Sequence, residues 1–511
     1  MENTTNTTEA LAEKSKLSFK EQSKIWLKNY YNIALIVLII ASFALNVYYF
    51  NATKNQALWW DEAEYMATAK HWAFGVPYEI NPQRPPLFPL IGAGFFALGL
   101  PDISFRFMFV LVPTILSILI IFLLGKKMYD ERIALFSATM FAVFWSSLFW
   151  TQRFQPDSLV LLFQLIAIYY FWETFIENKS KSAWLFGLFT GLAFLTKIQA
   201  LLIIPFAFIA MLFFDKLNFL KKKETWISAG TFLITITPYL IWNYFYHGDV
   251  LAFRAGYSNA IIQSVPFGWY VIKFIFAFTQ WPPFALLVLG SLLAVGGLLI
   301  GYDLIKQDKR LKADFSSILI ILVIQAFFIF YIRGAEDRWV MLMTPFLFFL
   351  SGKAVFWIYD QIKPYQKEIA MLFIALILMS ASYVQLSQAN QIINMKKDSY
   401  GPVREAGILI KDHSNPGDIV WSTSATQMNY YTERKIMNEN QMIKNSSMFN
   451  EYILNNKIRF VMWSVFEPVD TRYVLEWVTQ NKDNVTLQLS YFSDVSKKQP
   501  ILLVYEVRNI K

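Results

Sequence analysis

The sequence predicts a polytopic α-helical membrane protein that ends in a soluble α/β domain. Of the 511 residues, 56% are hydrophobic, 18% aromatic and only 16% charged. These charges are too few to coat soluble domains of this total length, and the apolar runs are too long to be hidden from water. The runs recur up to about residue 388, after which the hydrophobic density drops.

Cysteine is absent, and the three histidines are far apart in the sequence. Without cysteine there are no disulfides, thiolate metal sites or cysteine nucleophiles. His71, His247 and His413 do not have the spacing of metal ligands, so a histidine metal site is not expected.

The net charge of +9 would suggest a nucleic-acid partner in a soluble protein. Here the basic residues lie mainly in short loops between apolar runs, where they report orientation in the membrane. We therefore expect contact with membrane lipid and no nucleic-acid partner.

The N-terminal segment 1–30 is polar and is followed by the apolar run 31–50. By the positive-inside rule, the lysines before this run place the N-terminus in the cytoplasm. They are Lys14, Lys16, Lys20, Lys24 and Lys28. The loop 51–86 is then extracytoplasmic.

The next apolar piece, 87–100, would form a helix of only about 21 Å, against a hydrocarbon core of about 30 Å. We interpret it as interfacial, because counting it as a span would turn every later basic loop outward. The further spans are predicted at 103–125, 132–150, 158–176, 183–195, 199–214, 225–245, 283–301, 315–332, 339–357 and 367–386. Together with the first, they make eleven spans and leave the C-terminus outside.

One predicted loop divides an apolar stretch at Thr196 and Lys197. A lysine at the bilayer centre costs about 2.5–3.5 kcal/mol on insertion scales. We therefore predict a hairpin that lifts Lys197 to the outer surface, rather than one long tilted span.

The chain divides into three predicted parts: a cytoplasmic segment 1–30, a transmembrane module 31–388 and an extracytoplasmic domain 389–511. In the last part, 408–410, 418–421, 458–463 and 501–507 resemble strands, and helical patterns lie between them. This alternation predicts an α/β domain.

Ionisable residues gather on the predicted outer surface, in five separate loops. Acids and bases at one membrane face suit a reaction between a lipid phosphate and a polar acceptor, because cations hold phosphate and a carboxylate accepts a proton from the attacking hydroxyl. The main candidates are Asp61, Glu62, Glu64, Arg84, Asp157, Lys197, Arg254 and Arg338.

One carboxylate is enough for this chemistry. A glycosidase needs two, whereas a lipid phosphate leaves as an anion that cations already stabilise. An aspartate with an ordinary pKa near ~4 accepts the proton late, as the new bond forms.

Five motifs, in order along nearly the whole chain, resemble those of the GT-C superfamily of membrane glycosyltransferases. They are Trp60-Asp61-Glu62-Ala63-Glu64-Tyr65-Met66-Ala67, Arg84-Pro85-Pro86-Leu87, the glycine-containing stretch 187–197, the block 336–345 and the stretch 417–434. The resemblance is to the prokaryotic branch related to protein O-mannosyltransferases and to the aminoarabinose transferase of lipid A.

This resemblance implies a GT-C fold of about eleven transmembrane helices and inverting transfer of a sugar. The donor would be a polyprenyl-phosphate sugar of the dolichyl or undecaprenyl type, and the acceptor an extracytoplasmic protein, lipid or glycan. No cofactor is required. Acids at 61, 62 and 64 could hold a divalent metal as in some superfamily members, but the closest relatives imply that bases alone suffice.

The resemblance also assigns roles to residues. Asp61 is the catalytic base, and Glu62 beside it orients the site or contacts the acceptor. Asp157 matches a second outer acidic position. The lipid-phosphate-binding residues are Arg84, Lys197, Arg254 and Arg338. A tyrosine commonly stands where this chain has Trp339, so Arg338 is the better phosphate ligand in that block.

Simpler interpretations remain open for each residue. Asp61 and Asp157 could cap helices, Arg84 and Lys197 could extend to lipid headgroups, and Arg254 or Arg338 could pair with acids to order a loop. For the whole chain, the alternatives are a transporter or lipid flippase and an inactive lipid-binding scaffold. Charges crowded at one rim, instead of at the midplane, disfavour transport.

Overall fold

The helical part of the chain follows the predicted apolar runs. The computed structural model describes residues 26–254, 275, 283–300, 308–332, 336–438, 443–493, 496 and 499–508, so most of the predicted cytoplasmic segment 1–30 lies outside the described residues. The helices of this part are α1 (Tyr30–Ala52), α2 (Trp60–Phe74), α3 (Leu87–Ala97), α4 (Asp102–Met128), α5 (Glu131–Val143), α6 (Trp145–Trp150), α7 (Asp157–Ile176), α8 (Ala183–Thr196), α9 (Ile198–Lys221), α10 (Lys223–His247), α11 (Pro283–Ile300), α12 (Lys309–Tyr331), α13 (Asp337–Ile362) and α14 (Lys367–Lys396).

Each predicted span overlaps a helix. Among the residues that the structure describes, seven helices are long and apolar enough to cross a membrane, namely α1, α4, α7, α9, α12, α13 and the helix that begins at Lys367. The chain is therefore a multi-pass membrane protein. The other predicted spans fall on shorter or less apolar helices, and one of them, 132–150, is divided between α5 and α6 by extended backbone at Phe144. The total of eleven spans stays a prediction.

The predicted break at Lys197 is present. Helix α8 ends at Thr196, and Lys197 has extended backbone with φ −158° and ψ 131° before α9 begins. The predicted interfacial segment also forms its own helix, α3, which at 11 residues is about 16 Å long and too short to cross a bilayer.

Helices α8 and α10 pack closely through two glycines. A Cβ on Gly187 would lie 2.2 Å from the carbonyl oxygen of Ser228, and one on Gly191 would lie 2.7 Å from Thr235. Small residues four positions apart allow membrane helices to approach this closely. The glycine-containing stretch 187–197 thus has a packing role, and it fixes the end of α8 that leads to Lys197.

The C-terminal part is an α/β unit. Its elements are α15 (Gly401–His413), β1 (Ile419–Ser422), α16 (Ala425–Thr432), β2 (Lys435–Met437), α17 (Ser446–Asn455), β3 (Ile458–Ser464), α18 (Arg472–Gln480), β4 (Val485–Phe492) and β5 (Pro500–Val507). The strand order is β2-β1-β3-β5-β4, with β1 parallel to β2 and β3, and β5 antiparallel to β3 and β4. Apolar side chains of α15 cover one face of this sheet, and those of α17 and α18 cover the other.

Three of the four predicted strands are confirmed, and the prediction at 408–410 is wrong. That segment belongs to α15, which buries Val403, Ala406, Gly407 and Ile410. The spacing of these residues is helical, and it places one apolar face against the sheet. The short apolar run at 408–410 was ambiguous when considered without its neighbours. Strands β2 and β4 had not been predicted.

Helix α16 attaches the C-terminal unit to α2. Tyr431 accepts a hydrogen bond from the backbone N–H of Leu58 at 2.8 Å, two residues before α2. Lys70 of α2 donates to the carbonyl of Tyr430 at 2.9 Å and pairs with Glu433 at 2.7 Å. The hydroxyl of Tyr430 also donates to a carboxylate, so both tyrosines are structural residues of this contact.

Candidate active site

Asp61 lies in the first turn of α2, where an acidic side chain is favoured by the helix dipole. The same turn is capped by Glu62, whose carboxylate accepts a hydrogen bond from the backbone N–H of Trp59 at 2.6 Å. About a quarter of the Asp61 side chain remains exposed (26%). The carboxylate is thus held on a fixed helix end and is still accessible.

Two guanidinium groups bind the Asp61 carboxylate, one at each oxygen. Nη2 of Arg84 lies 2.6 Å from Oδ1, and Nη2 of Arg338 lies 2.6 Å from Oδ2. Arg84 also bonds Glu64 through Nε, at 2.5 Å, and Arg338 also bonds Glu336, at 2.6 Å. Both arginines therefore have a fixed orientation before any ligand arrives.

The electrostatics of this arrangement keep Asp61 ionised. Burial by itself raises the pKa of the carboxyl, but the positive charges of Arg84 and then Arg338 outweigh it and lower the pKa to about 2. Burial also acts on Arg84, yet its acidic neighbours raise its pKa above the ordinary value. Asp61 is therefore a weaker base in the unliganded protein than the ordinary aspartate that the sequence suggested.

A second acid–base pair lies beside the first. Lys197 bonds Asp157 at 2.5 Å, and both side chains are buried. A narrow cavity is lined by Asp157, Lys197, Arg338 and Trp339, among others. Because Arg338 contacts Asp61 and also lines this cavity, the two pairs form one connected cluster, defined here as the outer cluster of Asp61, Arg84, Asp157, Lys197 and Arg338.

The capping explanation for Asp157 finds no support. Helix α7 begins at Asp157 itself, with Pro156 at the cap position, and no side-chain capping bond is made there. One carboxylate oxygen of Asp157, Oδ2, is buried without a hydrogen-bond partner in the part of the chain that the structure describes. A buried oxygen of this kind is available to a donor group of a ligand.

Glu62 has a different position from its neighbour. It is fully buried, forms an ion pair with the buried Arg153, and accepts a hydrogen bond from the backbone N–H of Phe154 at 2.6 Å. These contacts fit the orienting role predicted for Glu62 and not contact with an acceptor. They also separate Glu62 from Asp61 and Glu64, so the three acids do not converge on one point.

Arg254 is exposed at the end of a short helical turn. Its side chain forms no ion pair with the outer cluster within the described residues, and the residues that follow it, 255–274, lie outside them. Its role in phosphate binding stays a prediction.

The sequence analysis assigned no role to three partners of the cluster. Glu64 and Glu336 orient the two arginines, and Arg153 fixes Glu62. A signal existed for Glu64, because it lies three residues after Asp61 and therefore on the same face of α2. Residues brought together from separate segments, such as Glu62 in α2 and Arg153 in the turn between α6 and α7, left no such signal.

An apolar pocket is lined by residues that are close in sequence to those of the cluster. It has a volume of about 380 Å³, and Trp72, Pro86, Leu195, Pro238 and Trp242 are among its lining residues. Pro86 follows Arg84 by two residues, and Leu195 precedes Lys197 by two. Charged groups that can bind an anion thus adjoin a surface that can bind a hydrocarbon chain.

Comparison with known sequences finds one family. The profile described as dolichyl-phosphate-mannose-protein mannosyltransferase matches residues 83–242. The match includes Arg84, Asp157 and Lys197 but neither Asp61 nor Arg338. No curated protein sequence matches the chain.

Comparison with solved structures covers most of the chain. The apo structure of ArnT from Cupriavidus metallidurans matches with a TM-score of 0.61 and 13% identity, over 92% of this chain and 97% of that one. The same protein bound to undecaprenyl phosphate gives 0.59 and 14%, over 93% and 98%. The apo oligosaccharyltransferase of Archaeoglobus fulgidus gives 0.59 and 13%, over 86% and 70%. At these identities the likeness shows the fold alone, and it confirms the predicted fold class, a polytopic α-helical membrane protein with a C-terminal α/β domain.

Proposed function

We propose that this protein, a multi-pass membrane chain with the GT-C fold, is an inverting glycosyltransferase. It transfers a sugar from a polyprenyl-phosphate donor to the hydroxyl of an acceptor outside the cytoplasm. The observation that carries the proposal is an accessible carboxylate, Asp61, fixed between two arginines from separate segments of the chain. This arrangement pairs a proton acceptor with a site for a leaving phosphate.

The donor phosphate binds where the cations of the outer cluster are. Arg84 and Arg338 present oriented guanidinium groups, which match phosphate oxygens in geometry and charge. Lys197 lies in the adjoining cavity, and Arg254 approaches when the donor is bound. The apolar pocket beside Arg84 receives the first isoprene units. The relative from Cupriavidus metallidurans, which binds undecaprenyl phosphate, and the family matched at 83–242 support this donor class.

The reaction is one displacement at the anomeric carbon. The acceptor oxygen forms a bond to that carbon while the bond from the carbon to the phosphate oxygen breaks. The electron pair of the broken bond leaves with the polyprenyl phosphate, which the arginines stabilise. The acceptor proton passes to Asp61 late in the step, and one displacement inverts the anomeric configuration.

Donor binding activates the base. In the unliganded protein the two arginines lower the pKa of Asp61 to about 2 against the opposing effect of burial. A phosphate that shares these guanidinium groups weakens their hold on the carboxylate. The pKa of Asp61 then rises toward its ordinary value, so the carboxylate becomes a better base only when donor is present.

No metal cofactor is proposed. Both oxygens of Asp61 already bond arginine, and Glu62 is directed to Arg153, so the charges that stabilise the leaving group come from side chains. We also propose that the outer cluster and the C-terminal unit are extracytoplasmic and that the N-terminus is cytoplasmic. A cysteine introduced at Ser496 is then labelled by a membrane-impermeant reagent in intact cells, and one at Lys222 is not.

The direct test is transfer by the purified protein. Radiolabelled polyprenyl-phosphate sugars are incubated with protein, lipid and glycan acceptors, and wild type is compared with Asp61→Asn. Transfer by the wild type alone supports the proposal. Equal transfer by both proteins removes Asp61 from the mechanism, and a requirement for a nucleotide sugar removes the lipid donor.

A further inference from the structure

A third and larger cavity lies between the first outer loop and the C-terminal unit. Its volume is about 700 Å³, within the range of about 300–1,000 Å³ that is common for ligand sites. Tyr78 and Glu79 line it from the loop, and Asn429 lines it from α16. The remaining wall is strand β2 with the residue that follows it, Asn438. We call this space the β2 groove.

Strand β2 is at the edge of the sheet. It pairs in parallel with β1 over Lys435, Ile436 and Met437, and no strand in the described part of the chain pairs with its other side. A strand bonded on one side leaves alternate N–H and C=O groups free on the other. Such an edge binds extended polypeptides by adding them as a further strand.

One residue that lines the groove, Asn429, has an unsatisfied acceptor. Asn429 is 3% exposed, and its Nδ2 donates to the carbonyls of Pro77 and Arg434 at 2.7 and 2.9 Å. Its Oδ1 is buried and has no hydrogen-bond partner within the described residues. A buried carbonyl oxygen without a partner is costly unless a ligand supplies a donor, and a peptide N–H is a donor of this kind.

The groove is connected to the outer cluster by a short piece of chain. Pro77, which accepts the bond from Asn429, is seven residues before Arg84, which binds Asp61. Seven extended residues span at most about 25 Å. A polypeptide of moderate length bound in the groove can therefore place a hydroxyl beside Asp61.

We propose that the β2 groove binds an extended segment of an acceptor polypeptide as an added strand. This inference rests on the proposed function, and it names the class of acceptor as protein. The backbone of the acceptor pairs with β2, and one of its N–H groups bonds Oδ1 of Asn429. Glu79 and Lys435, exposed and opposite in charge, contact its side chains. Backbone pairing is compatible with many acceptor sequences. The position of a serine or threonine relative to the bound segment therefore selects the site of sugar transfer.

The test measures peptide binding to the full-length protein in lipid nanodiscs, without donor. The probe is a pool of fluorescein-labelled, 12-residue peptides of random sequence rich in serine and threonine. The bound peptides are recovered and their Kd values are measured singly. Asn438→Trp fills the groove from an exposed position. Leu487→Trp is its matched control, because Leu487 is exposed on β4 at the opposite edge of the same sheet.

We expect Asn438→Trp to raise Kd at least tenfold and Leu487→Trp to leave it unchanged, with equal thermal stability of both variants. Two further series of peptides carry N-methyl groups at alternate backbone nitrogens, one at the odd and one at the even positions. One of these two series should bind at least tenfold more weakly than the unmethylated peptides. Absence of peptide binding, equal loss in both tryptophan variants, or unchanged binding of both N-methylated series would overturn the proposal. Binding of a membrane glycolipid that Asn438→Trp alone weakens, in place of peptide, would overturn it as well.

The same preparation separates this inference from the proposed function. Asp61→Asn should bind peptides with the wild-type Kd, because Asp61 is not in the groove. Peptide binding that Asn438→Trp abolishes, combined with no sugar transfer from any polyprenyl-phosphate donor, would support the groove and refute the glycosyltransferase. Sugar transfer to a glycolipid that Asn438→Trp leaves unchanged would support the glycosyltransferase and refute the groove.

Discussion

Asp61 and Arg338 are 277 positions apart in the sequence and form an ion pair, with Nη2 2.6 Å from Oδ2. The aspartate lies in the first turn of α2, and the arginine lies in the first turn of α13, one of the membrane-length helices. Arg84 closes the other side of the same carboxylate. The site therefore forms only when the loop 51–86 and the later membrane helices are folded together. Single substitutions in the site should distinguish residues that the reaction needs from residues that folding needs.

Replacing Asp61 by asparagine should abolish the chemistry and preserve donor binding. The variant keeps the size of the side chain but cannot accept a proton, and a general base contributes about 10²–10⁴-fold to the rate. We expect kcat to fall by at least about 10². The affinity for polyprenyl phosphate, measured by thermal stabilisation, should be unchanged or higher, because Arg84 and Arg338 lose their competing anion.

Asp249→Asn is the control for this variant, since Asp249 is an exposed carboxylate that bonds only the local backbone N–H of Leu251 among the described contacts. It should keep the wild-type rate. If Asp61→Asn transferred sugar as fast as the control, the proton of the acceptor hydroxyl would pass to a group other than Asp61.

Arg84 should require its guanidinium and not only its charge. Its Nε and Nη2 bond Glu64 and Asp61 at the same time, a fork that a lysine ammonium cannot reproduce. We expect Arg84→Lys to raise KM for the lipid donor about tenfold and Arg84→Ala to raise it further. Steady-state kinetics at varied donor concentration measure both effects, and wild-type kinetics of Arg84→Lys would contradict the fork.

Arg254→Ala tests the prediction for a residue whose side chain forms no ion pair in the part of the chain that the structure describes. If Arg254 reaches the phosphate in the donor complex, the substitution should raise KM for the donor several-fold and leave thermal stability of the unliganded protein unchanged. The stability is expected to hold because the side chain is exposed and unpaired within the described residues. An unchanged KM would remove Arg254 from the phosphate site.

Sequence reasoning located the main parts of this protein because local chemistry encodes them. The apolar runs predicted the helices, and Thr196-Lys197 predicted the break between α8 and α9, since a charge is costly inside a bilayer. The resemblance then selected Asp61, Arg84, Lys197 and Arg338, which the structure brings together. Their roles in catalysis and binding remain predictions.

The parts that the sequence did not predict depend on tertiary contacts. Strand β2 has only three residues, too few for a periodic pattern, and it is stabilised by β1. The pairing of Glu62 with Arg153 joins α2 to the turn between α6 and α7. The lowered pKa of Asp61 likewise comes from arginines that are distant in sequence, which oppose the effect of burial.

Glu62 should prove to be a structural residue that positions Asp61. Its carboxylate pairs with Arg153 in a fully buried site, and removing one partner of such a pair costs roughly 3–5 kcal/mol. We expect Glu62→Gln to lower the unfolding temperature in detergent markedly and to leave the acceptor KM of the folded fraction unchanged.

The double variant Glu62→Met with Arg153→Met should recover part of the lost stability, because it leaves no unpaired buried charge. A rise in acceptor KM at unchanged unfolding temperature would instead assign Glu62 to acceptor contact.

The pH dependence should show that the arginines control the base. The net effect of burial, Arg84 and Arg338 lowers the pKa of Asp61 to about 2. The ion pairs therefore stabilise the fold above the unfolded pKa near ~4, and this stabilisation is lost only as pH falls from there toward 2. For the same reason kcat/KM, which reports the free enzyme, should not fall between pH 7 and 5 through protonation of Asp61.

In Arg84→Ala one of the charges that lower the pKa of Asp61 is gone, so the acid limb of kcat/KM should move to higher pH. Asp249→Asn should leave the acid limb in place. Profiles of kcat/KM against pH for the three proteins measure this, and an acid limb at the same pH in Arg84→Ala and wild type would mean that Arg84 does not set the basicity of Asp61.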